Sequence, residues 1–400
     1  MYKLLLCSRY LRTRYIALAS IISVTLGVAT MIVVNSVMSG FQSEMYKRLH
    51  GILSDVVVEA QGMEGIQDPL VLEQEIRSVV GDDLLGLTNT VHVPALLSYQ
   101  WRGQWMQKQI NLIGIDRETY AHVSDFSQYL LHPENREQIS FDLRTGGYDE
   151  RLQDAGWDYR RLRSAQESYY RQQMDLLERD AGNAAHPDNH RDLAAAGSTS
   201  SATPTSDTTA DESFGDFNFE GDHALDAVGP QEEPTKFDPS REQHVGIVLG
   251  IATSSIRHRM ESGEVVDVFL CRPGDDVKVT LPTAGTPPQP VHANFTVVDF
   301  YESKMSEYDA GFAFVPIEEL QHLRGMFNMQ TGMAAVNSIQ LKLRPGVDLN
   351  AVRDRLRERF PAELFPYRIQ TWMDLQGPLL AAVQMETTIL NILLFLIIAV

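Results

Sequence analysis

The sequence predicts an α+β domain, membrane-anchored through an N-terminal transmembrane helix, with the start of a second transmembrane helix at its far end. Three observations predict it. An uncharged run at residues 16–38 comes after a basic leader, β-α-β patterns open and close the segment behind it, and residues 387–400 are again uncharged. The chain has 400 residues, enough for two or three domains, and 44% of them are hydrophobic, so most of it can fold. A formal net charge of -19 argues against nucleic-acid binding as the main task.

Lys3, Arg9, Arg12 and Arg14 precede the first run with no acid among them. They put residues 1–15 in the cytoplasm and the residues beyond the first span outside. The run at 16–38 is about 23 residues, roughly 34 Å as a helix, enough to cross a bilayer with some tilt. A cleaved signal peptide would have an apolar core of about 7–15 residues and a small-x-small cleavage site. This run is longer and has no Ala-x-Ala behind it, so an uncleaved anchor is expected. Ala19, Ser23 and Gly27 fall four apart, a ridge of small side chains that would let helices approach closely in lipid; ordinary membrane composition gives the same spacing. Phe41, Met45, Leu49 and Ile52 then recur at helical spacing, so residues 39–53 are expected to carry the helix outward as a stalk. Cys7 and Cys271 lie on opposite sides of the span and cannot pair.

Residues 54–130 form the first part of the outer domain. They read as a strand at 54–60, a helix at 68–80 capped by Asp68 with Pro69 in its first turn, and strands at 90–99 and 107–115 joined by a turn at Arg102-Gly103. Residues 336–372 repeat that grammar with a strand at 338–343, a helix at 349–359 opened by Asp348, and a strand at 367–370. Together they make a split periplasmic β-α-β domain. Residues 242–335 read as an inserted β-rich subdomain, with strands at 244–249, 276–281, 295–301 and 311–315 and a short helix after Pro316. The proline-rich loop at 282–293 is expected to leave the ladder as a protruding hairpin tip.

Residues 131–241 are expected to be a charged, largely disordered insert. A charged helical stretch covers 153–179, and 197–240 is an acidic segment rich in Ser, Thr and Pro that cannot bury enough apolar area to order itself. His186 and His190, with Asp188 between them, have a metal-like spacing, but beside Pro187 in this polar stretch no metal site is expected. Residues 373–400 carry a second stalk stripe, Trp372, Leu375, Leu379 and Val383, and then a truncated second membrane helix. Its uncharged stretch is about 14 residues where about 20 are needed, as in a piece of a longer membrane protein.

The sequence has no Gly-x-x-x-x-Gly-Lys-[Ser/Thr] loop, no His-Glu-x-x-His, no Gly-x-Ser-x-Gly and no Cys-x-x-Cys. No carboxylate pair or Ser/His combination stands out, so neither a catalytic residue nor a cofactor site is expected, and the chain is not read as an enzyme.

Four stretches carry a resemblance. Residues 22–31 (Ile-Ser-Val-Thr-Leu-Gly-Val-Ala-Thr-Met) and 36–45 (Ser-Val-Met-Ser-Gly-Phe-Gln-Ser-Glu-Met) are similar to the first membrane helix and its extension in the lipoprotein-releasing ABC transporter permeases of the LolC/LolE type. Residues 295–300 and 312–320 resemble late strands of their MacB-like periplasmic domain, and 372–386 resemble the approach to their second membrane helix. The resemblance covers roughly residues 1–125 and 244–400; the acidic insert departs from it.

The resemblance implies an FtsX-like permease with four membrane helices per subunit. It implies a cytoplasmic ABC ATPase, a second permease subunit, a lipoprotein substrate, a periplasmic carrier and membrane lipids as partners, with no nucleic acid. Helices three and four would lie beyond this chain. On this layout Val34, Met38, Phe41, Met45, Met385, Ile389 and Leu393 are candidates for contact with acyl chains, and they equally fit helix packing. The 282–293 loop corresponds to a hook that recruits the carrier, with Pro287, Gln289 and His292 as its candidates; a solvated surface loop fits equally. The alternative function is a related MacB/FtsX-like permease, acting in efflux or as a mechanotransmitting scaffold for an extracytoplasmic partner.

Overall fold

The computed structural model describes residues 15–184, 237–260, 263, 265–328 and 332–399. The expectations about Cys7, His186, His190 and residues 197–236 therefore lie outside the described residues.

Helix α1 runs unbroken over Tyr15–Ile52. No charge interrupts it before Glu44. Three of its hydroxyls are satisfied inside the helix: Ser20, Thr25 and Thr30 donate to the carbonyls of Ile16, Ile21 and Leu26 at 3.0, 2.7 and 2.9 Å. That is what an apolar surrounding demands of polar side chains. Among the described residues this is the one helix long and apolar enough to cross a membrane.

The strands are β1 (Val56–Ala60), β2 (Leu84–Trp101), β3 (Gln104–Ile115), β4 (Gly246–Gly250), β5 (Ser255–Arg259), β6 (Val265–Phe269), β7 (Asp276–Pro282), β8 (Pro290–Tyr301), β9 (Phe312–Pro316), β10 (Phe327–Asn328), β11 (Met333–Ala334), β12 (Ser338–Leu343) and β13 (Tyr367–Thr371). The main helices after α1 are α2 (Pro69–Val80), α3 (Trp157–Ala184), α4 (Ile317–Arg324), α5 (Leu349–Arg359) and α6 (Gly377–Ala399). Local signals set many of these bounds. Asp68 and Asp348 cap α2 and α5, accepting from the amides of Val71 and Asn350. Arg102 and Gly103, both at positive φ, make the two-residue turn between β2 and β3.

Nine strands form one sheet in the order β13-β1-β12-β2-β3-β9-β4-β8-β7. At one end β13, β1, β12 and β2 each run antiparallel to their neighbours, and α2 and α5 pack together there. This is the split β-α-β unit expected from the two ends of the domain. At the other end β7 also pairs with β2, Leu96 opposite Thr280 and Ser98 opposite Lys278, which closes six strands into a barrel. The β-rich part is thus no separate sheet. The 18-residue β2 belongs to both halves. Pro94, with no N–H to donate, falls in the gap between its pairings with β12 and β7.

The sequence places the start of the insert at residue 131, and the structure corrects this. Leu131, Ile139, Phe141, Leu143, Tyr148 and Leu152 are buried, and the Tyr148 hydroxyl donates to the Val298 carbonyl at 2.9 Å. Arg160 is 3% exposed and holds Asp276 at 2.6 Å. Ile139, Phe141 and Leu143 alternate, but the run is short and Leu131, Tyr148 and Leu152 share no period with it, so the surrounding charge hides them in the sequence. Gly246 permits the close fit: a Cβ there would lie 2.0 Å from the Phe141 carbonyl oxygen. The described chain divides into two compact units, Met1–Leu162 with Gln243–Val400, and Arg163–Glu242. In the second, the turns of α3 carry an Arg163–Glu167 ion pair at 2.9 Å and exposed Tyr169, Tyr170 and Met174.

A second correction concerns the loop at 282–293. The ladder continues through it: Val279, Thr280, Leu281 and Pro282 pair with Ala293, His292, Val291 and Pro290. The prolines at 282 and 290 stand at the last rung, where a missing N–H costs the ladder least. Only residues 283–289 make the tip.

Candidate functional site

The site is built where α1 leaves the apolar stretch and enters the domain. Its stripe is graded in burial. Phe41 is 57% exposed, Met45 is half-buried, and Leu49 is fully buried in a core cluster with Ile52, Phe314 and Trp372. The Ser124 hydroxyl donates to the Ile52 carbonyl at 2.9 Å and satisfies one of the helix's last acceptors.

The joint between α1 and the sheet centres on Asp55. Its Oδ1 lies 2.7 Å from His50 Nε2 and 3.5 Å from Lys342 Nζ. Its Oδ2 accepts from the Leu343 amide at 2.7 Å, and its carbonyl accepts from the Trp372 amide at 3.2 Å. One residue thereby ties the end of α1 to β12 and to the approach of the second long helix. Burial works to raise the Asp55 carboxyl; the His50 hydrogen bond, the Leu343 amide and the Lys342 charge outweigh it and hold the group below its ordinary value. The Trp372 ring packs 5.9 Å from those of Tyr46 and His50. Thr371 and Asp374 form a capping box at the turn into α6, and Arg353 holds Asp374 at 2.9 Å.

Helix α6 returns along α1. Gln42 Nε2 donates to Thr387 Oγ1 at 3.0 Å. Val34, Met38 and Met45 are half-buried along α1, whereas Met385, Ile389 and Leu393 on α6 are 64%, 50% and 51% exposed. The seven acyl-contact candidates therefore divide into a partly covered set and an open set. Ala19 and Ser23 are exposed and Gly27 is half-buried, so the small-residue ridge is mostly open.

Beside α1 lies a groove of 380 Å³. Phe41, Met45, Met305 and Leu379 give it an apolar floor, and Glu44, Arg48, Lys304 and Glu307 are charged residues of its lining. Lys304 sits at φ 62, a left-handed conformation for a residue with a Cβ. The turn is set by Asp309, whose Oδ1 accepts from the Ser303 amide at 2.8 Å and from its hydroxyl at 2.7 Å. Sequence reasoning found Phe41, Met45 and Leu379 through their stripes and missed Lys304, Glu307 and Asp55, which carry no periodic signal.

At the far hairpin Pro287 and Gln289 share the exposed tip. The Gln289 amide donates to Thr283 Oγ1, and the Thr283 amide to the Gln289 carbonyl, both at 2.9 Å. Ala284 is buried and its amide donates to the Arg324 carbonyl, so the tip is tied to the end of α4. His292 stands on the ladder instead, with Nδ1 2.8 Å from Thr280 Oγ1.

A long apolar helix thus runs into an α+β domain, and a second helix returns beside it. No family model matches the chain. Over 129 residues it is 32% identical to the lipoprotein-releasing system transmembrane protein LolC of Xylella fastidiosa (strain 9a5c), covering 32% of this chain and 29% of that protein. The matched stretch is less than a third of that relative's length. The periplasmic region of MacB from Actinobacillus actinomycetemcomitans overlaps 82% of this chain and 94% of its own, at a TM-score of 0.27 and 10% identity. A score that low carries no argument about the fold. By its sequence the chain is a distant relative of the LolC-type permease family.

Proposed function

We propose that the chain is the permease subunit of an ABC-type complex that releases lipoproteins from the inner membrane to a periplasmic carrier by mechanical transmission. The observation that carries this reading is the continuity of α1. One helix runs from the apolar stretch to the domain core, where Leu49 is fully buried and Asp55 ties its end to two strands and to the returning helix. A push on such a helix reaches the sheet without passing through a flexible linker. The N-terminus is then cytoplasmic and the main domain periplasmic, and ATP hydrolysis belongs to a separate subunit. Each buried CH₂ of an acyl chain holds a lipoprotein in the membrane by about 0.8 kcal/mol, so extraction of two or three chains needs an external energy source. The exposed Met385, Ile389 and Leu393 would face the acyl chains or a second permease subunit.

The Gln42–Thr387 bond and the half-buried α1 face favour a second reading, a closed helix pair that transmits motion to an extracytoplasmic partner and releases nothing. Photo-crosslinkers at Met38 and Met385 separate the two. Release predicts capture of acylated lipoprotein in living cells. Capture of permease helices alone, with a cell-wall hydrolase co-purifying in detergent, would support the scaffold.

A further inference from the structure

We propose that the groove beside α1 binds an amine-bearing, zwitterionic phospholipid of the outer leaflet, its phosphate on Lys304, its ammonium on Glu307 and one acyl chain against Phe41, Met45 and Leu379. Depth is the first argument. The apolar stretch ends near Met38, so Phe41 and Arg48 lie about 5 and 15 Å further along the helix, at the level of headgroups. The lining is the second. Phe41 is 57% exposed over an apolar floor, next to charges of both signs.

The third argument is charge left over. Arg48 is answered by Glu44 at 2.9 Å. Lys304 and Glu307, three residues apart on the same groove, form no ion pair with each other or with any other described residue. Two opposite charges that face one cavity without meeting are the complement of a zwitterion. Lys304 is also held left-handed at φ 62, where glycine would cost nothing. A strained lysine kept at the mouth of three cavities has a use for its ammonium. A lipid-modified cysteine carries diacylglycerol but no phosphate at this position, so the site differs from any lipoprotein site. It rests on the proposed topology alone, with α1 spanning the membrane and the domain outside.

The test is native mass spectrometry on the full chain in mild detergent, with dioleoyl phosphatidylethanolamine, dioleoylglycerol and inorganic phosphate added separately. Phosphatidylethanolamine should bind at least about tenfold tighter than dioleoylglycerol, and Lys304→Gln should remove about that factor while Lys304→Arg restores most of it. Glu307→Gln should shift preference toward phosphatidylglycerol. Lys304→Gly, which suits the backbone, should melt no lower than the native chain yet lose the lipid. Equal binding of dioleoylglycerol, displacement of the lipid by inorganic phosphate, or undiminished lipid binding by Lys304→Gln or Lys304→Gly would each overturn the proposal.

Discussion

Asp55, at the joint of α1 with the sheet, and Asp299, on β8 beneath the folded start of the insert, are 3% and 0% exposed. Their surroundings differ. Asp55 meets His50, Lys342 and the Leu343 amide. Asp299 meets neutral donors, Asn135 Nδ2 at 2.8 Å and the amides of Phe300 and His132 at 2.8 and 3.2 Å. Burial works to raise both carboxyls. At Asp55 the partners win and the group is lowered. At Asp299 burial wins over its hydrogen bonds and pushes the group up to about 6. The joint of α1 is thus fixed by an anion beside a lysine ammonium, whereas the start of the insert is latched by dipoles.

The two signs give opposite dependences on pH. The stabilisation from Asp55 is present above the ordinary carboxylate range and is lost as pH falls through its lowered value. The contribution of Asp299 is complete below the ordinary value of 3.8 and is lost as pH rises through about 6.

The largest effect is expected from Asp55→Ala. It leaves the Leu343 amide without its acceptor and Lys342 without its carboxylate, and it should cost about 3–4 kcal/mol in chemical unfolding of the full chain in detergent. A loss below about 1 kcal/mol would mean that the joint is held by Leu49, Ile52 and Trp372 alone. Next is Gly246→Ala, which forces a Cβ to 2.0 Å from the Phe141 carbonyl oxygen. It should cost about 3 kcal/mol and make residues 131–143 sensitive to limited proteolysis while the joint stays intact. Uniform digestion of the whole domain would show that the two regions do not open separately.

What the sequence disclosed and what it withheld divide along the same line. Asp68, Asp348 and the Arg102-Gly103 turn were legible because a cap or a two-residue turn is a local event. The stalk stripes of Phe41, Met45, Leu49 and Leu379 were legible because helical periodicity survives any tertiary context. Leu131, Ile139, Phe141 and Leu143 were not, since the alternation at 139–143 is only three residues long and His132, Asp142 and Arg144 around it read as solvated. The pairing of Val291–Ala293 was masked by the prolines at 287, 288 and 290, which mark the end of a ladder as readily as its absence. In the groove only the α1 and α6 half could be foreseen. Lys304 and Glu307 arrive from a turn set by Asp309, and no pattern in the chain points there.

A smaller effect is expected at Asp299. Asparagine keeps the shape and removes the charge, so Asp299→Asn should abolish the fall in stability between about pH 4 and pH 6, a change on the order of 1–3 kcal/mol across that window. Thermal melts of both proteins at several pH values measure it. A parallel fall in the variant would assign the slope to another group, and the contrast with Asp55 would lose its second half.

The smallest effect is expected from Lys342→Gln. Lys342 stands 3.5 Å from Asp55, while His50 and the Leu343 amide are each at 2.7 Å. At that separation the ammonium acts through charge rather than through a short hydrogen bond, and the lysine side chain is 19% exposed, so water screens part of it. Its loss should cost about 0.5 kcal/mol, less than His50→Ala, which removes a direct donor to Oδ1. A double-mutant cycle between the two positions should give a coupling of about 0.5 kcal/mol or more, since both act on Oδ1 of Asp55. If Lys342→Gln proves the costlier change, the joint is held by charge attraction instead of by hydrogen bonds. Its stability should then fall steeply with added salt, whereas a hydrogen-bonded joint should hardly respond.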